Sequence, residues 1–272
     1  MISGRTYRRA AGWVGVVFAV LIPGVVRGQR ADLTAPRNAV VNAAGARTIR
    51  IDAGAGFLHV NGHPGLTQVR VNGVAHASSQ RILNEIKLLA ERQGDVVVIK
   101  VLTDDSRSFW DLFHGDFVRS LDLTIDVPSG TPLDVTDGSG ETTIRGTGAV
   151  EITDGSGDLD IRGVTGNVRI TDGSGNITLV GIDGDVTVDD GSGDIDANNV
   201  TGNFTVGEDG SGGIDVTGIG GTMRIVEKGS GSVRVNRVGG DFIVETKGSG
   251  GIEYSTVKGA VNIPERKRRS RS

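Results

Sequence analysis

From Asp154 onward the chain alternates apolar and polar residues in short runs, and the runs recur at a fixed distance. Leu159 and Ile161 follow one glycine cluster, and Val168 and Ile170 follow the next. Ile177, Leu179, Val186 and Val188 then take the same places, followed by Ile195, Ala197, Phe204 and Val206. Alternation with period two, carried by β-branched residues, predicts strands with one buried face. The triplet Gly-Ser-Gly punctuates the pattern, centred on Ser139, Ser156, Ser174, Ser192, Ser211, Ser230 and Ser249, at spacings of 17, 18, 18, 19, 19 and 19 residues. Each repeat therefore reads strand, turn, strand, turn. Two strands cannot bury a face alone, but stacked coils can, because each backbone pairs with the coils above and below at ~4.8 Å. The predicted fold is all-β: a single-stranded β-helix, or β-solenoid, with coils of about 18–19 residues. The Asp before the first five triplets (Asp137, Asp154, Asp172, Asp190, Asp209) is expected to fold back on the N–H groups of its own turn and remain solvated.

The segment before the array reads as the same solenoid in degenerate form. "IRIDAGAGFLHVNG" (49–62) aligns with "VRITDGSGNITLVG" (168–181), with Gly54-Ala55-Gly56 in place of the triplet. "TQVRVNG", "DVVVIKVL" and "SLDLTIDVP" are further strand candidates. Between them "SSQRILNEIKLLAERQG" predicts one amphipathic helix over 79–93, with Ile82, Ile86 and Leu89 on one face, a Ser pair at its start and Gly94 after its last turn.

The first residues have the order of an export signal. Arg5, Arg8 and Arg9 precede an apolar stretch broken by Pro23, and Val26 and Gly28 suit a cleavage site. Residues 1–28 are expected to be removed, leaving no stable membrane span, with 29–47 as a linker. The solenoid occupies 48–264, its degenerate coils in 48–130 and its regular coils in 131–264, and 265–272 forms a basic tail. The formal charge of −4 becomes −8 once the four arginines of the signal are gone. Such an acidic chain argues against nucleic-acid binding, which needs clustered Lys and Arg. With 44 Gly and no Cys, neither disulfides nor thiol chemistry are available.

The order of export signal, GxG-containing strand pair, "GDVVVIKV", "LDLTIDVPSGTPLDV" and stacked GSG coils resembles the bacterial putative-adhesin family of β-strand-repeat proteins. The resemblance runs from about Thr48 to Ile263. It implies an exported right-handed β-helix or β-roll of the cell envelope, periplasmic, surface-bound or secreted. It brings no catalytic residues to carry over.

Specific chemistry is sparse. Calcium-binding β-rolls place an Asp two residues after the second Gly of GxG, where this chain has Leu159, Ile177, Ile195 and Ile214, so no metal site and no cofactor are expected. Asp158, Asp160, Asp194, Asp196 and Asp215 recur as columns of the solvent face rather than as one irregular cluster, which argues against a glycan-cleaving enzyme. The one interruption is "SRSFWDLFHGDF" (106–117), where Phe109, Trp110, Phe113 and Phe117 concentrate the aromatics of a chain that is only 4% aromatic. These four are the candidate contact residues, although a hydrophobic plug against the solenoid is the favoured reading. The function read from the sequence is a non-enzymatic adhesion or scaffold module, with an envelope glycan or protein as partner. A self-assembling polymer and a glycan-active enzyme are the rival readings, and the oligomeric state stays open.

Overall fold

The computed structural model describes residues 33–102 and 119–264. Residues 1–28, expected to be an export signal, lie outside the described residues, as do Phe109, Trp110, Phe113, Phe117 and the basic tail. Among those described, 22 strands form two 11-stranded sheets, here A and B. The N-terminal part contributes β1 (Leu33–Asn42), β2 (Thr48–Asp52), β3 (Leu58–His63), β4 (Gln68–Ala77), β5 (Lys87–Gln93), β6 (Val96–Leu102) and β7 (Arg119–Pro128), with a helix α1 (Gln80–Glu85). From β8 (Leu133–Asp137) and β9 (Thr142–Arg145) onward the chain alternates strictly, even-numbered strands in sheet B and odd-numbered strands in sheet A. Neighbours in each stack are parallel and in register, so Val150, Val168 and Val186 form one column and Leu159, Ile177 and Ile195 another. Every one of these six side chains is buried. The period-two reading of the repeat is borne out: the inward columns are the Val/Ile/Leu positions, and the residues between them face solvent.

The lengthening of the coils from 18 to 19 residues has a local cause. Val188 pairs with Val206 but Asp190 pairs with Asp209, so the coil with Phe204 carries one extra residue as a bulge between them. The bulge absorbs the insertion and the corner Asp still points inward.

Two expectations from the sequence are corrected. The helix does not run over 79–93. It ends at Glu85, with the Ser79 hydroxyl capping the Ile82 N–H at 3.3 Å, and Lys87–Gln93 is instead a strand antiparallel to Val96–Leu102. Pairing with the apolar run 96–102 completes the edge of sheet B, which outweighs the local helical pattern. Gly94, at φ +64, turns this hairpin rather than ending a helix. Ile82 and Ile86 are buried as expected, while Leu89 is only half-buried. The supposed linker is also structured from Leu33 on, since Leu33–Asn42 pairs antiparallel with Gln68–Ala77 along ten residues. Pro36 lies in that strand without harm because it forms the edge of sheet A, where a missing N–H costs no ladder bond.

Candidate functional site

Stacking in register turns each repeat position into a column, and two columns carry chemistry. The first lies on the outer face of sheet A. Glu141, Asp158, Asn176 and Asp194 leave the Gly-Ser-Gly corners one above another, and Asp160, Thr178 and Asp196 stand two residues further along each strand. Together they line a polar trough of about 500 Å³. Its first column is tied together along the stack. The Asn176 N–H donates to Asp158 Oδ1 at 3.0 Å, the Asp194 N–H to Asn176 Oδ1 at 3.1 Å, and the Gly213 N–H to Asp194 Oδ1 at 2.6 Å. These side chains are held by the backbone of the next coil and present their remaining oxygens to solvent. Asp160 is paired with Arg162 at 2.5 Å and Arg145 at 3.5 Å. Asp196 is more exposed, and its carboxyl is raised by partial burial and by the nearby Asp215 and Asp194.

At its N-terminal end this trough meets an aromatic pair. Leu58 is in register with Thr142 and His59 with Thr143, which places Phe57 one coil before Glu141 in its column and His59 two coils before Asp160 in its own, with Asp122 and Thr124 beyond them. The two rings stack with centroids 4.5 Å apart at 26°, and Phe57 is 37% exposed. The sequence reading missed Phe57, although its own alignment of 49–62 with 168–181 places it at the position of Asn176. His63 and His76 pair with Asp126 and Asp122 at 2.9 and 3.1 Å, both outside the trough lining.

The second column is inside. Asp137, Asp154, Asp172, Asp190 and Asp209 follow one another in register, and each is at most 4% exposed. The expectation of solvated turn aspartates is therefore wrong in its exposure, though partly right in its hydrogen bonds. Asp137 accepts from its neighbour Gly138 at 2.9 Å, and Asp172 and Asp190 accept from Ser174 and Ser192 at 3.3 and 3.1 Å. At one end the Thr142 hydroxyl donates to Asp137 Oδ2 at 2.9 Å. At the other end Lys228 replaces Asp in the column, is itself buried, and places Nζ 3.1 Å from Asp209 Oδ2.

Burial raises every one of these carboxyls. Asp137 is pushed up to about 6 by burial, against the bonds from Thr142 and Gly138. Asp172 is pushed up to about 6 by burial and then by Asp154, and Asp190 to about 7 by burial and then by Asp172 and Asp209. For Asp209 burial again comes first, opposed by Lys228. A carboxyl whose folded value lies above its unfolded one favours the folded state in acid, and that contribution is lost as pH rises through the folded value. The contribution is complete below the ordinary carboxyl value of 3.8 and is lost as pH rises from there to about 6 for Asp137 and Asp172 and about 7 for Asp190.

Among the described residues no three acidic or histidine side chains converge as a metal cluster, and no helix is long and apolar enough to cross a membrane. No protein-family description matches the chain, and no curated protein matches it. Solved structures do resemble it. A putative adhesin from Bacteroides fragilis is 14% identical, with 83% of this chain and 99% of that one covered at a TM-score of 0.40. A putative lipid binding protein from Parabacteroides distasonis is 12% identical, covering 84% and 97% at a TM-score of 0.38. A putative cell adhesion protein from Clostridium sporogenes is 14% identical, covering 84% and 98% at a TM-score of 0.28.

Proposed function

We propose that this chain is an exported, non-enzymatic β-solenoid that binds a glycan at the cell envelope through the trough on sheet A. The observation that carries the reading is the Phe57–His59 stack, which lies one coil before the trough, next to Glu141 in register. Carbohydrate recognition combines an apolar platform for a sugar ring with carboxylates and amides that bond hydroxyl pairs. The trough supplies both in a line. Its polar groups repeat once per coil, at ~4.8 Å, which is close to the length of one pyranose unit in an extended chain. Glu141, Asp158, Asp160, Asp194 and Asp196 give it an acidic balance, which favours neutral or amino sugars over uronic or sialic acids. A rigid stack of parallel strands suits such a task because the contact groups are fixed before the ligand arrives.

The test uses the mature protein recovered from the envelope or the medium, with its N-terminus read by sequencing and expected at Gln29. On an array of neutral, amino and acidic oligosaccharides it should prefer the first two classes. Combining Phe57→Ala with Asp196→Asn should weaken that binding at least about tenfold, because both face solvent, Asp196 in the trough lining and Phe57 one coil before it. Thr205→Ala, outward on sheet B, should leave binding unchanged. Equal affinity of the double variant and the wild type would place the binding surface elsewhere, and intact Met1 on a cytosolic protein would remove the envelope reading.

A further inference from the structure

The corner column ends in two lysines, Lys228 and then Lys247, and Lys228 is buried. Lys228 holds the register position that Asp209 holds one coil earlier. Its ammonium lies 3.1 Å from Asp209 Oδ2, donates to the Gly212 carbonyl at 2.7 Å, and donates also to the Ser230 carbonyl. A buried positive charge is thus coordinated by a carboxylate from one coil and by the two corner carbonyls, one from each coil. The same oxygens recur in the earlier gaps of the stack. In register with Asp209, Gly212 and Ser230 the repeat places Asp172, Gly175 and Ser192, and Asp137, Gly140 and Ser156. The corner backbone repeats as well, since Gly140, Gly175 and Gly212 donate their N–H to Ser156, Ser192 and Ser230 at 3.0, 3.0 and 3.2 Å.

In those earlier gaps the position of Lys228 is taken by a second Asp, and part of the carboxylate oxygens are left without donors. Neither carboxylate oxygen of Asp154 makes a well-formed hydrogen bond, the Gly155 and Ser156 N–H groups acting on it only weakly, although the residue is only 3% exposed. Asp172 and Asp190 each leave Oδ2 without one. Ionised carboxylates buried in that state destabilise the fold unless something positive sits between them. Hard divalent cations match what is present: carboxylate and carbonyl oxygens only, with no nitrogen or sulfur.

We propose that the column from Asp137 to Asp190 takes divalent cations of the calcium type in alternate gaps, each held between two successive carboxylates and completed by the Gly and Ser carbonyls of those corners. No three acidic side chains meet at one point, so the backbone carbonyls are essential to the site. Four carboxylates without a cationic side chain call for about two ions per chain. Lys228 fills the last gap permanently and closes the row. The sequence pattern of calcium β-rolls does not find these sites because their ligand falls at a different position, and because a burial-dependent site looks from sequence like a solvated turn.

The experiment is thermal melting and calorimetric titration of the mature protein with calcium chloride after chelator treatment, at pH 8 and pH 5, with magnesium and sodium at matched ionic strength as comparators. At pH 8 calcium should raise the melting temperature by about 5 °C or more, with about two ions bound. At pH 5 the gain should shrink, because protons then neutralise the column. Asp172→Asn should melt higher than wild type in chelator and lose calcium binding in its gap. An Asp158→Asn/Asp196→Asn variant, altered only on the outer trough, should keep the full calcium response. Identical melting at pH 8 with calcium and with chelator, or a calcium response that disappears with the trough variant and survives Asp172→Asn, would overturn the proposal.

Discussion

Val186→Asp should destabilise the protein by roughly 4 kcal/mol or more, while Thr187→Asp, one residue on, should change stability by no more than about 0.5 kcal/mol. Val186 is 1% exposed and stacked in register between Val168 and Phe204, both buried. A carboxylate there has apolar side chains above and below it and no donor in its column. Thr187 points the other way, between Arg169 and Thr205, so an Asp at that position faces solvent beside a guanidinium. Urea melts of the two variants separate the outcomes, and equal losses would mean that the strand does not have one buried face.

Gly175→Ala should cost roughly 3 kcal/mol or more, whereas Gly181→Ala, six residues later, should cost only about 1 kcal/mol. Both glycines have positive φ, +141 and +68. What differs is the space around them. A Cβ on Gly175 would lie 1.8 Å from the Gly157 carbonyl oxygen of the coil before, whereas a Cβ on Gly181 meets nothing closer than 4.0 Å. The repeat itself has run a version of this experiment. At the Gly181 position later coils carry Asn199, Arg237 and Thr256, each still at φ near +60. The Gly175 position, by contrast, is glycine in every triplet, Gly140 through Gly250. Left-handed backbone is tolerable for a side chain, but overlap with a neighbouring carbonyl is not. Chemical denaturation of both variants checks the contrast.

The same particulars show how far the chain could be read without coordinates. The coil, its length and its buried columns follow from alternation and glycine spacing, because stacking neighbours impose the same demand on every repeat. The burial of the corner aspartates was present in the pattern too. In Val168-Arg-Ile170-Thr-Asp172 the period-two phase carries straight on to Asp172, and it was the habit of reading Asp-Gly as a solvated turn that hid it. What could not be read locally was the fate of Lys87–Gln93 and Leu33–Asn42. Both segments become edge strands, and their structure is decided by partners distant in sequence rather than by their own propensities. Phe57 was legible only through the degenerate first coil. The aromatic segment on which the sequence reading placed its contact residues lies outside the described residues, so the Phe57–His59 stack is now the aromatic site to test.

Every inference above depends on strict coil-on-coil register, and the lack of any native Cys makes that register directly measurable. Val180 and Asn198 are outward residues paired across adjacent parallel strands, while Asp196 stands two positions off that register. Neighbouring coils lie ~4.8 Å apart, which is within disulfide reach, and a two-residue offset moves the pair beyond about 7 Å. Val180→Cys with Asn198→Cys should therefore oxidise to an intramolecular disulfide readily, and Val180→Cys with Asp196→Cys should not. Equal crosslinking of both pairs, or faster crosslinking of the offset pair, would contradict the register and with it the columns from which the trough and the corner sites are built.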